Sequence, residues 1–160
     1  MDPQPPRAAG PPTSVAQLLD AARVQLRRLT AEQAHAAMQQ GSTLVDIRSD
    51  SQREADGVIP GATFVPRNVL EWRLDPACPH RDPALGRADA RIVLLCDEGY
   101  QSSLAAATIR SFGVGDTTDV IGGFRAWQAA GLPVVRRFRP GDPPPVSLKA
   151  WTEPTTGGSP

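Results

Sequence analysis

The order of hydrophobic and polar residues along the chain predicts short buried strands alternating with amphipathic helices. Short runs of apolar and β-branched residues are typical of buried strands. The predicted strands are 43–48, 62–65, 91–95, 117–121 and a last one at 132–135. Alternation of such strands with helices is typical of an α/β domain with a mostly parallel sheet.

Apolar residues recur at three- and four-residue steps in several segments, which predicts helices between the strands. The predicted helices are 14–28, 31–40, 68–74, 102–112 and 124–130. Ser14 is a candidate N-cap, and Thr30 with Gln33 forms a capping box. We expect the first helix to pack on the domain, although its surface is alternatively one that recruits a partner.

The composition places one domain between two proline-rich ends. Of the 17 prolines among 160 residues, 11 fall in residues 1–13 and 139–160, where few apolar residues offset the chain entropy. We therefore expect a disordered N-terminus, a single domain over 14–138 and a flexible C-terminal tail.

Charge and cysteine content narrow the expected partners and compartment. Lys plus Arg and Asp plus Glu both number 17, which disfavours a nucleic acid as partner. The sequence has neither an apolar run of membrane-spanning length nor an apolar signal segment at its start. Two cysteines, Cys78 and Cys96, are too few for a disulfide framework, so we expect a cytoplasmic protein with reduced thiols.

Cys96 stands where chemistry is expected in such a fold. It directly follows the strongest predicted strand, and ligands of open α/β sheets bind beyond the carboxyl ends of strands. The amides of the following loop and helix start can point at one anionic group and lower the pKa of the thiol. Gly99 supplies the positive φ of a tight loop, and Ser102 is placed to cap the helix or donate into the loop. A small core cysteine is the alternative reading.

Three segments together resemble the rhodanese-like sulfurtransferase family. VDIR (45–48) with VIPGA (58–62) resembles an early strand and turn of the family, CDEGYQSS (96–103) its active loop, and IGGFRAW (121–127) its closing helix. The resemblance runs from about Leu29 to Val135. It implies a five-stranded, mainly parallel sheet with helices on both faces.

The resemblance also implies a chemistry. The Cys96 thiolate takes the outer sulfur of a donor such as thiosulfate or a persulfide, and the resulting Cys96 persulfide passes that sulfur to a nucleophilic acceptor. The loop residues expected to bind the substrate are Asp97, Glu98, Gly99, Tyr100, Gln101 and Ser102. No metal or organic cofactor is expected, and the pair Cys78 and His80 is too small for a metal site.

The loop departs from the family pattern in its charges. Gln101 stands where many members have Arg, and Asp97 and Glu98 are like charges that favour a protonated thiol and repel a dianion. Thiosulfate is therefore expected to be a poor donor, and a neutral or cationic persulfide or a protein donor a better one. The candidate cations of the cleft are Arg48, Arg67 and Arg73, with ordinary surface arginines as the alternative. In the family, an aspartate such as Asp46 helps to hold the active loop.

Two other functions fit parts of the pattern. A phosphatase of related fold also uses a cysteine loop, but its loop ends in an arginine that clamps the phosphoryl group, and this loop reaches Ser102 without one. A non-catalytic binding or regulatory module is the stronger alternative, since Gln101 and the acidic pair depart from the active pattern. Cys78 is a candidate resolving thiol for Cys96, and a monomer or weak dimer is expected.

Overall fold

A parallel four-stranded sheet forms the centre of residues 14–136, the part of the chain that this computed structural model describes. The strands are β1 (Thr43–Asp46), β2 (Thr63–Phe64), β3 (Arg91–Leu95) and β4 (Asp116–Asp119), in the spatial order β2-β1-β3-β4. Val45 pairs with Leu94, and Leu94 with Asp119, so the carboxyl ends of β1, β3 and β4 meet at one edge. The proline-rich ends 1–13 and 139–160, for which disorder is predicted, lie outside the described residues.

The expectation of a fifth strand at 132–135 is wrong within these residues. Val135 makes a single antiparallel bridge with Val58. Pro133 has no N–H to donate, and its carbonyl accepts the Trp127 indole N–H at 2.9 Å. The segment therefore has too few free backbone groups to continue a ladder.

Six α-helices surround the sheet in the described residues. They are α1 (Val15–Val24), α2 (Ala31–Gln39), α3 (Asp50–Asp56), α4 (Leu70–Leu74), α5 (Gln101–Ser111) and α6 (Gly123–Ala129), with a 3₁₀ turn Arg67–Val69 before α4. The N-cap predicted at Ser14 and the capping box predicted at Thr30 are confirmed. Ser14 also forms a capping box, with Gln17, at the start of α1. Of these helices, none is long and apolar enough to cross a membrane.

Alternate residues of the strands point to opposite sides and create two apolar clusters. On one side Val45, Ile92 and Leu94 pack with residues of α4 and α5; on the other, Leu44 and Val93 pack with residues of α2 and α6. The predicted α/β architecture with helices on both faces is therefore confirmed.

The first helix is shorter than the predicted 14–28, because the chain after it runs beside β4. The amide of Leu29 donates to Asp119 O at 3.0 Å, and the Ile121 amide donates to Leu29 O at 2.8 Å. Upstream, α1 packs on α5, with Ala22 buried in the contact. This pairing beside β4 fixes the direction of the Arg28 side chain, which directly precedes Leu29.

Candidate active site

Cys96 lies at the carboxyl edge of the sheet, directly after the last residue of β3. The loop 96–100 leads from there into α5. The amide of Gly99 donates to the Cys96 sulfur at 3.1 Å. The cysteine is only 2% exposed, so its sulfur lies at the base of the loop and not on an open surface.

Ser102 contacts the sulfur instead of capping the helix. The N-cap of α5 is Tyr100, without a side-chain hydrogen bond, so the capping role expected for Ser102 is wrong. Ser102 is the second residue of α5 and faces β4, where its hydroxyl donates to Asp119 Oδ2 at 2.8 Å. Its oxygen lies 3.2 Å from Cys96 Sγ and accepts the thiol hydrogen, since its own hydrogen is engaged.

Asp119, at the end of β4, is a fully buried carboxylate that organises this region. It accepts hydrogen bonds from the hydroxyls of Ser102 and Ser103, both at 2.8 Å. Arg28 binds it through two nitrogens, Nε at 2.8 Å and Nη2 at 3.1 Å. A buried charge needs such partners, and here they connect the carboxylate to the cysteine loop.

Gly99 has the positive φ that the sequence predicts, +81°, and a second reason to be glycine. A Cβ atom there would lie 2.7 Å from the amide nitrogen of Gly122 and 2.9 Å from the carbonyl oxygen of Val120. The start of α6 also rests on the loop, because the Phe124 amide donates to Cys96 O at 2.8 Å and the Arg125 amide to Asp97 O at 3.0 Å. The amides at the start of α6 thus fix the backbone of the loop.

The acidic pair of the loop is less repulsive than the sequence alone suggests. Arg125 Nε donates to Asp97 Oδ2 at 3.1 Å, and its Nη2 donates to Asp56. The hydrogen bond and charge of Asp97, with the charge of Asp56, raise the pKa of Arg125, which therefore stays a cation. Glu98 is exposed to solvent. One of the two carboxylates is thus neutralised by a cation from outside the loop.

Arg48 and Asp46 form a buried ion pair after β1. Arg48 is fully buried, its Nη2 lies 2.8 Å from Asp46 Oδ2, and its guanidinium stacks 3.6 Å from the ring centroid of Phe124. The charge of Arg48 is thus neutralised, although the residue borders a cleft. Asp46 binds Arg48 and lies 3.7 Å from Arg53, whereas the carboxylate that reaches the cysteine loop is Asp119.

A polar cleft of about 290 Å³ opens beside the loop, at the carboxyl ends of β1 and β2. Gln101, Arg67, Asn68 and Gln52 are among its lining residues, and Arg67 is paired with Glu71 at 2.7 Å. Arg73 is exposed, does not line this cleft and donates to the carbonyl of His80. Of the three arginines expected near the cleft, the structure therefore brings Arg48 and Arg67 to it, each paired with a carboxylate.

Comparison with known proteins places this site in a family. The model of the rhodanese-like domain matches residues 30–130, which include β1, the cysteine loop and α6. The chain belongs to the rhodanese-like domain family. Membership supports sulfurtransferase chemistry in general and agrees with the resemblance that the sequence motifs indicate.

Relatives of the rhodanese-like domain carry sulfurtransferase names. A sulfurtransferase of Allochromatium vinosum is 33% identical over 92 residues, covering 58% of this chain and 77% of the relative. The thiosulfate sulfurtransferase GlpE of Pseudomonas savastanoi is 30% identical over 105 residues, covering 66% and 90%.

Solved structures share the fold. A protein of unknown function from Rhodopseudomonas palustris, described as a possible tyrosine phosphatase, is 34% identical with a TM-score of 0.71 and covers 79% of this chain and 100% of its own. A polysulfide-sulfur transferase homodimer from Wolinella succinogenes is 24% identical with a TM-score of 0.60, covering 74% and 85%, and supports the fold alone.

A larger cavity of about 500 Å³ lies away from the rhodanese-like loop. It is lined by the first residues of β3 and β4, including Arg91 and Asp116, at the opposite edge of the sheet from Cys96. Of these two cavities, only the polar cleft includes a residue of the segment that directly follows the cysteine loop, Gln101. In residues 14–136, no cluster of three metal-ligating side chains is present.

Sequence reasoning missed the residues that hold the rhodanese-like loop from outside. These are Arg23, Arg28, Ser103, Asp119 and Arg125. Asp119 lies in the middle of the predicted strand 117–121, and a carboxylate inside a buried strand needs a partner, which was a usable signal. The two N-terminal arginines carry no local signal, because they lie 76 and 71 positions from Gly99.

Proposed function

We propose that this protein is a sulfurtransferase that carries sulfane sulfur on Cys96 as a persulfide. The observation that carries the proposal is the Gly99 amide, which points at the Cys96 sulfur at 3.1 Å, at the carboxyl edge of the sheet. A fixed amide stabilises an anionic sulfur without having to reorganise during the reaction. The rhodanese-like family and its sulfurtransferase relatives support the same assignment.

The transfer proceeds by two balanced displacements. The Cys96 thiolate attacks the outer sulfur of a persulfide RSSH, a new S–S bond forms, and RS⁻ leaves. An acceptor thiolate then attacks the outer sulfur of the Cys96 persulfide, and the Cys96 thiolate leaves. When the thiol is ionised, the Ser102 hydroxyl turns from Asp119 to the sulfur, while Asp119 keeps Ser103 and Arg28 as partners.

We propose a persulfide, and not thiosulfate, as the preferred donor. A dianion needs uncompensated cations that face it, but both arginines of the cleft are paired, Arg67 with Glu71 and Arg48 with Asp46. Arg125 is shared between Asp97 and Asp56, so it neutralises the site without giving it a net positive charge. The burial of Cys96 adds a steric preference, since the outer sulfur of a persulfide is carried on a slender two-coordinate sulfur, whereas that of thiosulfate is carried on a bulkier sulfonate.

The polar cleft beside Gln101 is proposed to hold the body of the donor or acceptor. Its volume of about 290 Å³ accommodates part of a small thiol compound or a few atoms of a protein side chain. Amide side chains of Gln52, Asn68 and Gln101 offer both donors and acceptors there. Neutral or zwitterionic thiols are therefore the expected substrate class.

A phosphatase reading is suggested by the description of the Rhodopseudomonas palustris protein. Phosphoryl transfer from a cysteine loop needs a guanidinium fork aimed at the phosphate. The loop from Cys96 to Ser102 contains no arginine, and the fork of Arg28 is occupied by Asp119 and the Gly99 carbonyl. Sulfur transfer is therefore the better proposal.

Incubation with a sulfane-sulfur donor, followed by intact-mass measurement, tests the function. Wild type and Cys78→Ser should gain one sulfur from a small persulfide, whereas Cys96→Ser should gain none. With thiosulfate we expect slower loading at physiological salt, and faster loading than with the persulfide contradicts the donor preference. No gain of sulfur by the wild type from any donor favours the non-catalytic module.

The setting of the reaction is part of the proposal. We propose a single domain over 14–138 that acts in the cytoplasm as a monomer or weak dimer, without nucleic acid, membrane or cofactor. The pairing of Cys78 with Cys96 stays a prediction. Mild oxidation should lower the mass of the wild type by two hydrogens and leave that of Cys78→Ser unchanged, and the absence of this loss in the wild type contradicts the pairing.

A further inference from the structure

Two arginines from the N-terminal segment meet at one carbonyl of the cysteine loop. Arg23 Nη2 donates to Gly99 O at 3.0 Å, and Arg28 Nη2 donates to the same oxygen at 2.9 Å. Arg23 lies in the last turn of α1, and Arg28 directly precedes Leu29, which pairs beside β4. Both precede residues 30–130, the part of the chain that matches the family, so the family resemblance assigns them no role.

Gly99 is the residue at which this contact matters most. Glycine has no side chain to restrict its torsion angles, so its conformation depends on what its amide and carbonyl bind. Its amide faces the Cys96 sulfur at 3.1 Å, and its carbonyl faces the two guanidinium groups. Fixing the carbonyl on the outer side of the loop therefore keeps the amide directed at the sulfur.

The same arginines connect to the hydroxyls beside the sulfur. Arg23 Nε donates to Ser103 Oγ at 3.2 Å, and Arg28 pairs with Asp119, which accepts from Ser102 and Ser103. Arg28 keeps 15% of its side chain exposed, and its partner Asp119 none. The guanidinium of Arg23 also lies 5.5 Å from the ring centroid of Tyr100.

We propose that Arg23 and Arg28 are positioning residues of the active site, which orient the Gly99 amide toward Cys96 and place positive charge at the outer side of the loop. The proposal rests on the proposed function, because it takes sulfur transfer through Cys96 as the reaction of this site. The N-terminal segment is thereby part of the site, and the domain delimited by the family match alone is incomplete. Neither arginine touches the substrate, since each acts through the loop.

The test uses the full chain in a Cys78→Ser background, so that Cys96 is the only thiol. Arg23→Gln, Arg28→Gln and the double variant are compared with Arg27→Gln, an exposed neighbour that removes the same charge from the same segment. The first readout is the pH midpoint at which the ultraviolet absorbance of the thiolate appears. The second is the rate of sulfur loading from a small persulfide.

In the double variant we expect the thiolate midpoint to rise by at least about half a pH unit, because two cations are lost. Sulfur loading should slow at least about tenfold, less than the roughly 10²–10³-fold that loss of one such donor costs, because the Gly99 amide is misdirected and not removed. The loading rate of Arg27→Gln should stay within about twofold of that of the parent protein. Compared with Arg28→Gln, the variant Arg28→Lys should recover most of the shift in thiolate midpoint but only part of the loading rate. An ammonium keeps the charge but does not form the fork to Gly99 and Asp119.

A folded double variant with an unchanged midpoint and rate overturns the proposal. If the double variant does not fold, Arg23→Gln decides alone, because Arg23 has no carboxylate partner among the described ion pairs. A parent that loads no sulfur refutes the proposed function, while the thiolate midpoint still tests the positioning role.

Discussion

Gly99 and Gly122 touch backbone to backbone, and this contact joins the cysteine loop to the turn that starts α6. A Cβ on Gly99 would lie 2.7 Å from Gly122 N, and one on Gly123 would lie 2.4 Å from Cys96 O. Real Cβ atoms do not approach backbone atoms so closely, so both positions exclude any larger residue. The loop and the turn are therefore in direct backbone contact beside Cys96.

Gly99→Ala is expected to destabilise the protein and to abolish sulfur loading. The positive φ of +81° costs alanine about 1–2 kcal/mol, and the clash with the Gly122 turn adds to it. Gly113→Ala is the matched control, because Gly113 has a φ of +92° and open space around its Cβ position. Thermal melting of both variants separates the torsional cost from the clash, and equal losses contradict the close contact.

Asp119→Asn is expected to cost about 3 kcal/mol of unfolding free energy. The carboxylate is fully buried, and its loss leaves Arg28 without its ion-pair partner and the two serine hydroxyls with a poorer acceptor. Asp116→Asn on the same strand should cost less than about 1 kcal/mol, because its pair with Arg91 is exposed. Urea unfolding measures both, and similar values for the two would show that the buried network contributes no extra stability.

The sheet was predictable because its signals are local. The composition of the apolar run 91–95 predicts a strand, which is confirmed as β3. The Thr30–Gln33 capping box predicts the start of α2. The same signature at Ser49 and Gln52 opens α3, a helix missed because residues 51–57 carry no apolar face. The sequence of a polar helix of seven residues contains a signal for its start, the capping box, but no apolar periodicity.

Only the site residues that lie in the motif segments themselves could be predicted from the sequence. The cysteine, the glycine of the loop and the closing motif lie in runs that can be read directly. The pair Arg28–Asp119 spans 91 positions, and nothing in either neighbourhood indicates the other. Such contacts follow from sheet order and from the pairing of Leu29 beside β4, which one sequence does not specify.

Arg48→Met is expected to affect mainly stability, and Arg67→Met mainly donor binding. Arg48→Met leaves Asp46 buried without its main partner and should cost about 3 kcal/mol, moderated because Arg53 lies 3.7 Å away. Arg67→Met breaks a part-exposed pair, should cost less than about 1 kcal/mol, and should raise KM for the donor bound in the cleft. Urea unfolding and donor kinetics on both variants check the contrast. An unchanged KM in Arg67→Met contradicts the placement of the donor beside Gln101.

Arg125→Gln is expected to make the loop more repulsive to anions. Arg125 is the cation that binds Asp97 Oδ2, and this hydrogen bond and the charge of Asp97 raise the pKa of Arg125. Without it the Asp97 carboxylate is uncompensated beside Cys96, and like charge disfavours both the thiolate and an incoming anion. Ionisation of Cys96 should therefore move to higher pH, and sulfur loading should slow more with thiosulfate than with a neutral persulfide.

The comparison needs a variant that removes an equally exposed arginine elsewhere. Arg87→Gln serves, because the side chain of Arg87 is 54% exposed against 50% for Arg125 and its ion pair is with Asp89, in the loop before β3. The difference between donors should shrink as salt is raised, since screening weakens the repulsion between the partly exposed Asp97 carboxylate and a dianion. If Arg125→Gln slows both donors equally and independently of salt, its role is to hold the loop through Asp97 and not to balance its charge.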